Sequence, residues 1–139
     1  MRFKKFDKSQ RSTFSYWFNH WKAYNYTAIK LGHWRFRYLF HDFEKPWLRL
    51  WFRGDYKKVQ QMHRRNNKHH LEYKVPSKRN WIDMAIDWEC SNLTKNAHPY
   101  TAVEEADRKY GSNEMKAYEY YEFLAACRKL GLNVLYPSV

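Results

Sequence analysis

The chain is predicted to be all-α, a compact single-domain helical bundle, on three observations. Apolar residues recur at helical spacing in segment after segment, and each segment is bounded by a capping residue, a glycine or a proline. No stretch alternates apolar and polar residues as a half-buried strand would, and there is no internal repeat or low-complexity linker. A length of 139 residues is enough for one core and too short for two comfortable ones, and the 20% aromatic content supplies bulky side chains to fill it. One domain is therefore expected over residues 1–139.

Residues 1–9 carry Arg2, Lys4, Lys5 and Lys8 around Phe3 and Phe6 and read as a basic arm, expected first as a solvated terminus, with lying on the domain or on a polyanion as the alternatives. From Ser12 or Thr13, either of which can cap a helix, Phe14, Trp17, Phe18, Trp21, Tyr24, Ala28 and Leu31 hold helical spacing until Gly32. A second helix runs from His33 through Phe36, Leu39, Phe40 and Phe43 to Lys45, where Pro46 disfavours the helical conformation of the residue before it. Pro46 suits the first turn of a short helix packed through Trp47, Leu48, Leu50, Trp51 and Phe52 and closed by Gly54 and Asp55.

Residues 56–73 form a third long helical segment, sparse in apolar residues and dense in polar ones. Ser77 or Asn80 caps the next helix, from Trp81 to about Cys90, and residues 92–101 read as a loop with His98 on the surface. Two further helices, Ala102 to Tyr110 and Ser112 to Leu130, cover the core. Met115, Tyr118, Tyr121, Phe123, Leu124 and Cys127 lie on one side of the last, and Glu119 and Glu122 on the remainder.

Composition narrows the function classes. No apolar run approaches the roughly 20 residues of a membrane span, and no apolar signal core follows Met1 to Asp7, so a soluble, cytoplasmic protein is expected. Cys90 and Cys127 have neither the number nor the spacing of a disulfide framework or zinc knuckle and are read as reduced packing residues. The net charge of +12 is concentrated early: residues 1–80 hold 20 Lys/Arg and 5 Asp/Glu, and the remainder 6 and 9. Such a field gathers phosphate-bearing ligands, whether small molecules, nucleic acid or an acidic protein.

The residues that carry chemistry centre on His41-Asp42, an adjacent imidazole and carboxylate expected in the last turn of the second helix. The helix dipole there favours cations, so Asp42 needs a positive partner, a metal or Lys45. His20 lies between Trp17 and Tyr24 on or beside an apolar face. Asp87, between Ile86 and Trp88, is the better candidate for burial than Asp83, one turn away. His63, Asn66, His70 and, less closely, Asn67 share one helical face, whereas His69 points elsewhere. Mixed imidazole and carboxylate ligands suit borderline divalent metals, iron or manganese first, with zinc, cobalt or nickel as alternatives, rather than calcium.

The ordered set His20, His41-Asp42, His63, His69-His70, Asp87 resembles the HD-domain metal-dependent phosphohydrolase superfamily. The stretch His-Asp-x-x-Lys at 41–45, with Glu72 following His69-His70, is similar to its cyclic dinucleotide phosphodiesterase branch, although the Gly-Tyr-Pro element of that branch is absent. The whole chain is also similar to a family of small HD-like phage and bacterial proteins. It shares their His-Asp-x-x-Lys, their Asn-x-x-His-His-x-x-Tyr spanning Asn66 to Tyr73, and Asp87-Trp88.

The resemblance implies an HD-like fold and one or two metal ions held by His20, His41, Asp42, His63, His70 and Asp87. It further implies Asp42 and Lys45 as catalytic residues, and Lys45, Arg64, Asn66 and His69 as the substrate-binding ones. Asp83 in place of Asp87 and His33 in place of His20 stay open as alternatives. The expected activity is hydrolysis of a nucleotide, cyclic ones included. Two other readings stand beside it: a basic nucleic-acid- or partner-binding protein without catalysis, and a di-iron oxygenase on the same ligands.

Overall fold

The computed structural model describes residues 3–7, 13–43, 45–51, 55–73, 75, 79–95 and 100–132. They form α1 (Phe14–Lys30), a 3-10 helix (Phe36–Phe40), α2 (Lys45–Trp51), α3 (Tyr56–Asn66), α4 (Trp81–Thr94), α5 (Ala102–Gly111) and α6 (Ala117–Lys129). The fold is all-α, as expected: α4 is the central helix, packed against α1, α5 and α6. Among the described residues, no helix is long and apolar enough to cross a membrane.

α1 starts where expected, the Thr13 hydroxyl accepting the Tyr16 N–H at 3.1 Å. It stops at Gly32, whose φ of +71° lets the His33 N–H return to the Ala28 carbonyl. Ser12 lies outside the described residues. The buried face keeps only part of the expected one: Tyr24 and Ala28 point inward as expected, joined by Tyr16, His20 and Ala23, while Phe14 is 58% and Phe18 45% exposed. Small residues at Ala23 and Ala28 on α1 and Ala85 on α4 let the helices approach closely in the shared core, and the larger rings are displaced to the rim.

The expected second helix is instead the 3-10 helix and a turn over His41–Phe43, because its carbonyls are taken by other donors. Asn25 Nδ2 donates to the Tyr38 carbonyl, Trp21 Nε1 to that of Leu39 and Trp17 Nε1 to that of Asp42. An α-helical ladder would need those acceptors. Tyr38 and Arg37 anchor the segment to α4, both donating to Asp83 Oδ1, at 2.7 and 2.9 Å. Trp47 and Trp51 of α2, expected to pack inward, are 62% and 80% exposed. Phe52, Gly54 and the side chain of Leu50 lie outside the described residues, and Asp55 caps α3 rather than closing α2, its Oδ1 accepting the Lys58 N–H.

α3 ends at Asn66, not at residue 73. Asn67 turns to extended backbone and its side-chain amide donates to the His63 carbonyl, so His69 and His70 sit in the turns beyond the helix. Asn80 caps α4 through the Asp83 N–H, and the helix runs four residues past Cys90, to Thr94; Ser77 and His98 lie outside the described residues. α5 opens with a capping box between Thr101 and Glu104. α6 starts at Ala117 rather than Ser112. Met115, Phe123, Leu124 and Cys127 are buried and Glu122 is exposed, as expected, whereas Tyr118 and Tyr121 face outward and Glu119 is buried against Arg79, the reverse of their expected placement.

Residues 3–7 are not a free arm. The Phe6 N–H donates to the Thr94 carbonyl, Asn19 Nδ2 donates to the Lys4 carbonyl, and Phe6 is buried edge-on to Tyr16. Arg2 and Lys8 lie outside the described residues.

Both cysteines are free and buried. Burial, helped by the Asp87 charge, holds the Cys90 thiol well above its ordinary range, and burial pushes the Cys127 thiol up to about 12. Neither forms thiolate near neutral pH. Mass spectrometry after iodoacetamide should therefore find no adduct in the native protein and two in urea; a native adduct on either would show that its burial is not maintained in solution.

Candidate metal centre

The turn after the 3-10 helix determines the site. Asp42 sits at φ 54°, in the left-handed region where Asp and Asn are tolerated better than other L residues. Its backbone is held there by the Trp17 indole on its carbonyl oxygen and by the Lys45 N–H on the same atom. Its buried carboxylate is thereby presented between two groups of imidazoles.

Each oxygen faces one group. Oδ2 lies 3.4 Å from His41 Nε2, 3.7 Å from His20 Nε2 and 3.5 Å from Lys45 Nζ. Oδ1 lies 2.9 Å from His63 Nε2 and 3.1 Å from His69 Nε2. Asp87 closes the first group from α4, its Oδ1 2.9 Å from His20 Nε2 and 3.1 Å from His41 Nε2. His70 joins the second group. Two sets of ligand atoms thus converge, His20, His41, Asp42 and Asp87 on one side and Asp42, His63, His69 and His70 on the other.

Ring packing fixes these imidazoles before any ligand arrives. Tyr24 stacks on His41 at 3.6 Å and 9°, Tyr16 lies nearly parallel to His20, and Cys90 Sγ is 3.8 Å from His20 Nδ1. The electrostatics follow from burial and proximity. Burial opposes ionisation of Asp42 and Asp87. Even so, the imidazoles of His41 and His63, with Lys45, hold Asp42 well below the usual carboxylate range, and hydrogen bonds from His20 and His41 do the same for Asp87. Burial lowers His41 and, with His69 and His63 nearby, lowers His70 further. His69, despite its burial, is raised by its hydrogen bond to Asp42.

The donor set fits metal ions. Two ligand atoms about 2.1 Å from one ion are about 3 Å apart at right angles and about 3.4 Å apart at the tetrahedral angle, and the separations here run from 2.9 to 3.7 Å. His70 Nε2 is buried with no hydrogen-bond partner among the described residues, and burial keeps that ring neutral, the form that ligates. Buried His and Asp groups of this kind can hold a metal ion.

The residues expected at the site are therefore placed as follows. His20, His41, Asp42, His63, His70 and Asp87 are brought together, with Lys45 at their edge. Asp83 is engaged by Tyr38 and Arg37, and His33 stands near Tyr38, so neither belongs to the two groups. His69, expected to point away and to bind substrate, instead faces Asp42 as part of the second group. Arg64 and Asn66 are exposed on α3, Arg64 beside Glu72. The signal that would have placed His69 was the pair Asn66-Asn67, since asparagine favours helix ends. Comparison of the chain with protein-family models, curated proteins and solved structures returns no match.

Proposed function

We propose that the protein is a metal-dependent phosphohydrolase or phosphodiesterase acting on nucleotide phosphates, with an HD-like ligand set. The observation that carries this reading is the shared carboxylate: Asp42 offers one oxygen to each of two ligand groups. Iron or manganese suits the mixed donors best. A pair of such ions would acidify a water and clamp the attacking and leaving oxygens of a displacement at phosphorus.

The chain's own residues support the same chemistry. The Lys45 ammonium, with its side chain 20% exposed, reaches the site from the solvent side and can receive a phosphate oxygen while balancing Asp42. The positive first 80 residues, which carry all of these ligands but Asp87, attract anions to this part of the chain. The buried rings of His41 and His63 keep the Asp42 carboxylate ionised, and His69 Nε2, 3.1 Å from Oδ1, helps to orient it.

Elemental analysis of untagged protein, beside His41→Ala, tests the reading. Stoichiometric iron or manganese lost in the variant, together with metal-dependent release of product from bis(p-nitrophenyl) phosphate or a nucleotide panel, is the expected result. Wild-type protein that takes up no metal even after incubation with manganese and ferrous iron would overturn it.

A further inference from the structure

The rings displaced from the core form two rows, one on α1 and one on the 3-10 helix and the turn that carries Asp42. On α1, Phe14, Phe18 and Trp21 present nearly parallel faces, 8° apart for the first pair and 12° for the second, with centroids 6.5 and 5.8 Å apart. Trp21 Nε1 ties this row to the Leu39 carbonyl. From there Phe36, Phe40 and Phe43 continue it edge to face along the 3-10 helix and the His41–Asp42 turn. On α2, Trp47 and Trp51, one helical turn apart, are exposed as well. Phe36 is 69%, Phe40 57% and Phe43 47% exposed, an unusual concentration of large apolar groups for a surface.

Charge identifies the occupant. Between Thr13 and Phe43 the one acidic residue is Asp42, which is buried, whereas Lys22, Lys30, Arg35 and Arg37 are basic. Lys22 Nζ lies 5.0 Å over the Phe18 ring, and Arg35 and Arg37 flank Phe36. A second copy of the chain would bring +12 against +12. Flat ring faces with cations between them match a polyanion whose own rings stack, and only an unpaired strand can turn its bases onto such faces.

We infer that the ridge Phe14–Phe18–Trp21–Phe40–Phe43 is a binding surface for single-stranded nucleic acid that leads the strand to the metal centre. This makes a polynucleotide phosphodiester, rather than a free nucleotide, the substrate of the proposed reaction. The cleavage rests on that reading; the binding does not. Bases stack on the rings while Lys22, Arg35, Arg37 and Lys45 contact phosphates, and the turn carrying Phe40 and Phe43 also carries Asp42.

The test is fluorescence anisotropy of a labelled dT12 strand titrated with full-length protein in EDTA, where no strand is cut. Four phosphate contacts predict affinity about 50-fold weaker at 200 mM than at 50 mM salt. Phe18→Leu/Phe40→Leu keeps apolar bulk but removes the ring faces and should weaken binding at least about tenfold, and Phe18→Tyr/Phe40→Tyr should restore it. Absence of binding at 50 mM salt would overturn the inference while leaving metal-dependent hydrolysis of a small phosphodiester untouched. So would full affinity in the Leu variant, or tighter binding to phosphatidylglycerol vesicles that the Leu variant retains. Strand binding by a chain that takes up no metal would overturn the hydrolase reading and leave the inference standing.

Discussion

On the proposed two-ion hydrolase reading, Asp42→Asn is expected to remove both metal ions and reduce hydrolysis to background while the helical circular dichroism is unchanged. Asn is the informative replacement because it tolerates the left-handed backbone at φ 54° and keeps the side-chain shape, so the loss isolates the carboxylate charge. Losing an outer-shell partner of a metal ligand already costs about 10–100-fold in affinity. Losing the ligand common to both groups should cost more. Single replacements away from it should divide the site: Asp87→Ala should deplete the ion of the His20–His41 group, and His63→Ala that of the His69–His70 group. Titrating the metal-free variants with manganese and counting bound ions checks this. An Asp42→Asn protein that holds both ions would show that the carboxylate does not bridge.

Glu119→Ala is expected to destabilise the fold by about 3–5 kcal/mol, a fall in Tm on the order of 10–20 °C. The Arg79 side chain is 3% exposed, with Nη1 paired to Glu119 Oε2, Nη2 donating to the Leu71 carbonyl and its plane lying over Trp81. Glu119 also accepts the Lys116 N–H that opens α6. The variant leaves a buried guanidinium without its counter-charge and strips a helix start at once. Arg79→Met/Glu119→Leu, which removes both charges, should recover most of the loss. Because Arg79 also holds the Leu71 carbonyl, the single variant should weaken manganese binding at the His63–His69–His70 group more than at the other. A loss below about 1 kcal/mol in urea melts would mean that the pair behaves as a solvated surface bridge.

Punctuation was the most legible part of the fold. Thr13, Gly32 and Asn80 mark their helix boundaries because capping is local chemistry between near neighbours. The direction each helix faces was less legible. Periodicity assigned Phe14, Phe18, Trp47 and Tyr118 inward because they are apolar, but close packing of α1 on α4 selects alanines, and the chain holds more rings than a core of this size accepts. The 3-10 segment was hidden for a related reason. What prevents an α-helix there is a set of indole and amide donors from α1, a tertiary effect with no local signature.

In the site, His41, Asp42 and Asp87 were readable as polar residues embedded in apolar sequence. His69 was not, since its direction depended on where α3 stops. Glu119 misled because a glutamate on a helix is ordinarily solvated, and its partner Arg79 lies 40 residues away.

The contact between His20 and Asp87 spans 67 positions. Bringing ends so far separated together costs a free chain on the order of 4 kcal/mol in loop-closure entropy. The His20–His41–Asp42–Asp87 group therefore has no local origin in the chain and needs the whole stretch from His20 to Asp87 to be brought together. An ion that binds only the assembled centre is bound at the expense of the unfolded ensemble, so each step in its affinity is also a step in the lifetime of the folded state. If a metal ion occupies this centre, its supply would then set how much of the chain stays folded and escapes proteolysis.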